Sequence, residues 1–223
     1  MEELKNLVQE SQTQFTQRLR QVFQTGGLTQ DRYVRYLSMQ YHLTKGVQRH
    51  FFMAASHPDL EHRGSLRDFL VQFAKEEEAH FEIAKRDIEN MGRELLPCPF
   101  EVELWWAYFN QIIFERPFVR LGATCILENI AGSSRQEVTN LLSQSSFITP
   151  RNSRFVTIHM HGENLPHGDQ ILEALSNARL EASHLSDLVE GAIKGSKLFL
   201  MMLDQAFGLG NLQESHPRNN HAA

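Results

Sequence analysis

The chain has 223 residues, 41% of them hydrophobic and 22% charged, with 22 Lys and Arg against 27 Asp and Glu for a net charge of -5. That balance suits one globular domain with a substantial core, and it excludes the basic stripe that a nucleic-acid partner would need. The two cysteines, Cys98 and Cys125, are too few for a disulfide framework and fit a reducing compartment.

The N-terminal stretch MEELKNLVQESQTQF is acidic and polar, with no apolar leader, and no run of apolar residues is long enough to span a membrane. The expectation is therefore a cytoplasmic protein with no membrane and no nucleic-acid partner. Helical periodicity runs throughout and strand alternation is missing, so the fold class is all-α, with about seven to nine helices in a single domain. A first helix fits residues 2–23. A second runs over 30–55, with Thr29 placed as its N-cap. A third covers 66–91 and stops at Gly92. A fourth starts near Glu101, Pro117 breaks it, and a fifth carries on from there. Ser134 is placed to cap a short helix, and a long last helix covers 182–207. The helical domain is expected over residues 1–210, with 211–223 as a disordered tail.

The third helix carries the first anomaly. Its apolar row is Leu66, Phe69, Leu70, Phe73, Glu77, His80, Phe81, Ala84, Ile88 and Met91. A carboxylate and an imidazole thus occupy the core stripe, three residues apart on one face. A bare carboxylate in a dry core is heavily penalised unless it is paired or metal-bound, and Glu-x-x-His is how helical bundles hold two metal ions. Glu76 reaches His80 equally well, so the carboxylate is Glu77 or Glu76.

The second anomaly is Glu128, the one charged residue in LGATCILENIAG. The third is RFVTIHMHGENLPHGDQ, which carries three of the 11 histidines. There His159, Glu163 and His167 are spaced i, i+4, i+8, a drift of only about 80° around a helix. Gly162 and Pro166 make a bulge plausible, and His161 is the alternative to His159. Six residues, Glu77, His80, Glu128, His159, Glu163 and His167, form a candidate set of metal ligands. Mixed nitrogen and oxygen donors with several carboxylates suit iron or manganese rather than a thiolate-bound structural zinc.

This order of motifs resembles the heme-oxygenase-like di-iron oxidases, a branch of the superfamily that also holds heme oxygenases, thiaminase II and pyrroloquinoline-quinone synthase. EEEAH matches the branch's first motif with Glu77 and His80, CILENIAG its second with Glu128, and HMHGENLPH its third with His159, Glu163 and His167. The third motif departs from the family spacing, which would put the last histidine at Pro166. The resemblance implies a heme-oxygenase-like bundle, two iron ions per chain (or manganese) held by the six residues, and dioxygen as co-substrate. It also implies a small-molecule substrate, fatty-acid-like or amino-acid-like, and a homodimer. Arg116 and Arg120 are candidates to hold a substrate carboxylate. A thiaminase-II-like, metal-free hydrolase would instead rely on Cys125. A second Glu-x-x-His, Glu181 and His184, has the local pattern of a ligand pair but no glutamate on the second helix to join it.

Overall fold

The computed structural model describes residues 1–160 and 167–209. Among these residues are eleven α-helices, one 3-10 turn at Pro58–Leu60 and no strand. The helices are α1 (Glu2–Gln24), α2 (Gln30–Thr44), α3 (Val47–Ala55), α4 (Gly64–Glu76), α5 (His80–Glu89) and α6 (Phe100–Ile112). They continue as α7 (Pro117–Asn129), α8 (Arg135–Ser143), α9 (Arg154–Met160), α10 (His167–Asn177) and α11 (Ala182–Phe207). Two expected helices are each interrupted once, α2 with α3 and α4 with α5. Counted as single interrupted helices, they bring the total to nine. No described helix is long and apolar enough to cross a membrane.

The centre of the bundle is α7. Ten successive residues from Pro117 to Ile126 are buried, the signature of a helix surrounded on all sides. Pro117 opens it, where a missing amide hydrogen does no harm. Against it lies α11, and the two backbones touch. A Cβ on Gly191 would sit 1.7 Å from the Val119 carbonyl oxygen, and one on Gly122 would sit 2.0 Å from that of Leu188. Only glycine permits this approach. Around this pair α1 contributes Leu4, Val8, Phe15, Leu19 and Val22 at helical steps. Each such side chain, fully buried, contributes about 1.5–3 kcal/mol.

The first interruption follows from packing. Trp106 presses on Gly46, where a Cβ would meet the indole at 2.8 Å. The helix opens there, and the Trp106 indole N–H donates to the His42 carbonyl at 3.0 Å. Thr29 caps α2 as expected, accepting from the Arg32 amide. Ser134 precedes α8 but does not cap it with its side chain; its hydroxyl bonds to Thr16 at 2.6 Å.

The second interruption corrects the expectation of one helix over 66–91. Residues 77–79 form a turn, and Ala79 is left-handed at φ 66°. Three successive carboxylates, Glu76, Glu77 and Glu78, fall at the C-terminal end of α4, where the helix dipole repels negative charge. A left-handed alanine costs about 1–2 kcal/mol. The break places Glu77 at the end of α4 and His80 at the start of α5.

Candidate metal centre

Glu77 is 7% exposed, and its Oε2 accepts a hydrogen bond from the His80 Nδ1–H at 3.0 Å. From the far side comes α9. Its His159 lies with the ring centroid 5.3 Å from that of His80, at 74° between planes. Glu77, His80 and His159 each offer one ligand atom within 4.8 Å of the others, a group that could hold a metal ion. Glu76 is exposed, accepts from Gln72 at 2.9 Å, and is not part of that group.

The tautomer of His159 follows from its neighbour. Its Nδ1 lies 2.7 Å from the Phe155 carbonyl oxygen. A carbonyl only accepts, so Nδ1 carries the proton and Nε2 keeps the lone pair, the usual arrangement of a metal-binding imidazole. The Phe155 ring packs on the imidazole with centroids 4.3 Å apart, which fixes its plane.

Glu128 is half-buried on α7 and lies outside the 4.8 Å group. Its charge favours the charged form of Arg120 and pushes up the Cys125 thiol. The start of α10 packs against this end of α7, since a Cβ on Gly168 would lie 2.3 Å from the Asn129 side chain. His161 and Glu163 lie outside the described residues, and so does the side chain of His167, the first residue of α10.

Other candidate residues are held in structural contacts. Arg120 is 1% exposed, so it cannot meet a substrate carboxylate at an open site. Its Nε donates to His50 Nδ1 at 3.1 Å and its Nη1 to Thr124 at 2.6 Å. Trp105, Phe51 and Phe109 wall it in, with ring centroids 5.4–5.7 Å from the guanidinium carbon. Burial brings its pKa down to about 10. Arg116 is held by Asp187 at 2.6 Å and Glu190 at 2.5 Å on α11. Cys125 is 0% exposed, and burial pushes its thiol up, the reverse of an activated nucleophile. Glu181 and His184 form a capping box at the start of α11.

Two buried polar residues were missed. His50 is buried between Arg120 and Asn110, 2.8 Å from the latter, and burial followed by the Arg120 charge brings its pKa down to about 3. Asp87 is fully buried on α5 and accepts from the Phe155 amide at 2.8 Å. The signal for Asp87 was available, because it falls between Ala84 and Ile88 in the apolar row and two turns beyond His80.

No protein-family model matches the chain, and no curated protein matches it. Solved structures do. One is a domain of unknown function with a heme oxygenase-like fold from Shewanella denitrificans OS217, 22% identical, with a TM-score of 0.78 over 99% of this chain and 98% of the other. Another is a CADD-like protein of unknown function from Nostoc punctiforme PCC 73102, 10% identical, with a TM-score of 0.67 over 97% of this chain and 99% of the other. An all-α bundle matched end to end in this way has the heme oxygenase-like fold, and α5 and α9 of that fold bring His80 and His159 to Glu77.

Proposed function

We propose that the protein is a non-heme di-iron oxidase or oxygenase that activates dioxygen to oxidise a small organic substrate. The observation that carries this reading is the convergence of Glu77, His80 and His159 at a break between helices. A buried carboxylate beside two imidazoles is an expensive arrangement for stability alone. It fits a divalent ion with nitrogen and oxygen donors, and the donor set favours iron or manganese.

In this proposal Glu77, His80 and His159 supply part of the ligand set, and Glu128, Glu163 and His167 supply the rest. Iron bound there would supply the electrons that reduce dioxygen. The chain's own residues do the positioning. Phe155 holds His159 in the tautomer that presents Nε2, while His80 is oriented by its bond to Glu77. Phe73 is buried one turn before Glu77, and Phe81 one residue after His80 packs edge-on to Tyr41. In this proposal such aromatic neighbours would limit water and suit an aliphatic or aromatic substrate. The sealed Cys125 argues against the hydrolase alternative.

The test is anaerobic loading with Fe(II), metal analysis, and then exposure to air with the absorption spectrum followed over time. About two iron ions per chain and an oxygen-dependent visible band are expected. One ion per chain would reduce the site to a mononuclear centre. No bound metal would leave a non-catalytic helical protein.

A further inference from the structure

The first turn of α9 is tied down in an unusual way. Ser153, the residue before the helix and a preferred local cap, turns its hydroxyl back to the Thr149 carbonyl at 2.9 Å. The Phe155 amide instead donates to Asp87 Oδ2, 68 residues away in sequence. Asp87 is 0% exposed and its Oδ1 has no hydrogen-bond partner. Burial pushes its carboxyl up to about 6, against the favourable pull of the Phe155 amide and Arg154. A serine at the surface could have satisfied the same helix end at far lower cost. What a serine in the local chain cannot do is join α9 to α5.

The geometry of that joint points at the candidate centre. Asp87 and His80 are seven residues apart, two turns along one face of α5. Phe155 and His159 are one turn apart on α9. Asp87 meets Phe155, and His80 meets His159, so the two helices run antiparallel with a polar contact at each end. Alongside these contacts Ala84, Ile88, Val156 and Met160 belong to one apolar cluster. Phe155 links the two contacts. Its amide is held by Asp87, its carbonyl holds His159 Nδ1, and its ring packs on the imidazole.

We propose that Asp87 is a positioning residue for the His80–His159 pair, setting the register of α9 on α5 and with it the place and tautomer of His159. Helices a few turns long draw most of their stability from tertiary packing, and the described part of α9 is Arg154–Met160. Its order comes from this docking. The metal-binding consequence rests on the reading of the imidazoles as ligands, whereas the docking role does not.

The test compares Asp87→Ala and Asp87→Asn with wild type in the full chain. Amide hydrogen exchange is read on the metal-free protein, and Co(II), an oxygen-stable probe, is titrated by visible absorption. In Asp87→Ala, exchange in residues 154–160 should rise about tenfold or more while α7 and α11 keep their protection. Co(II) affinity should fall about 10–100-fold. Asp87→Asn keeps a side-chain carbonyl oxygen to accept from the Phe155 amide and should restore both to within about threefold of wild type. Unchanged α9 protection in Asp87→Ala overturns the proposal. So does a rise spread evenly over all helices, or an asparagine variant as damaged as the alanine one. If wild type binds no Co(II), the metal reading fails, and the exchange arm still decides the docking role.

Discussion

The chain contains two Glu-x-x-His motifs, and they do different work. Glu181 and His184 open α11 as a reciprocal capping box, with the Glu181 amide donating to His184 Nδ1 at 3.3 Å. Arg63 donates to the same nitrogen, and the ring packs on Phe118 with centroids 4.5 Å apart. Glu77 and His80 straddle a helix break instead, and the imidazole donates from Nδ1 to the carboxylate. The contrast extends to two further imidazoles. His50, like His184, accepts at Nδ1, whereas His159, like His80, donates from Nδ1. Imidazoles that accept at Nδ1 are built into the scaffold. Those that donate from Nδ1 belong to the Glu77, His80 and His159 group that could hold a metal ion. The lesson is that spacing identifies residues able to share a face, while the direction of each imidazole's hydrogen bond separates those tied into the scaffold from those in the candidate centre.

The comparison can be broken at several points. The largest effect belongs to a scaffold imidazole. His50 titrates near 3 in the folded protein against an ordinary value of 6.5, so the unfolded chain takes up its proton first. The stability this represents is present above pH 6.5 and is lost as pH falls toward 3, up to about 5 kcal/mol. Denaturant melts between pH 7 and 3 should show the loss, and His50→Gln should flatten it. An equally steep curve in the variant would mean that other groups carry the acid transition.

Next come the ligand-type imidazoles. His159→Ala should weaken Fe(II) or Co(II) binding by about 100-fold, roughly 2.7 kcal/mol, while His184→Ala changes it less than about threefold. Calorimetric titration under anaerobic conditions reads both, and equal losses would erase the distinction between the motifs.

Smaller effects separate the backbones. Ala79→Gly relieves the left-handed alanine in the turn after Glu77 and should stabilise the fold by about 1 kcal/mol, read as a rise in the melting temperature. Glu181→Ala removes one half of the capping box and should cost about 0.5–1 kcal/mol with metal binding intact. A stabilised Ala79→Gly variant that also binds metal less tightly would show that the strained turn shapes the site.

Much of the fold was legible because helical burial is a local property. The stripe of α1, the buried run of α7 and the span of α11 each follow from residue types at steps of three and four, and so does the intrusion of Glu77, His80 and Glu128 into apolar surroundings. The two helix breaks were harder to read. One depends on Trp106 reaching Gly46 from α6, and the other on a run of three carboxylates that also looks like an ordinary solvated helix end.

The sequence by itself determined an all-α chain and a short roster of polar residues with no good reason to sit among apolar ones. Only the tertiary structure decided among them. It brought Glu77 rather than Glu76 to the imidazoles, made a cap of Glu181 and His184, sealed Arg120 and Cys125 in the core, and drew Asp87 onto α9. The reason is physical. A side chain's period is set by its own helix, but its hydrogen-bond partner in a core comes from another helix, 68 residues away for Asp87 and Phe155 and 70 for Arg120 and His50.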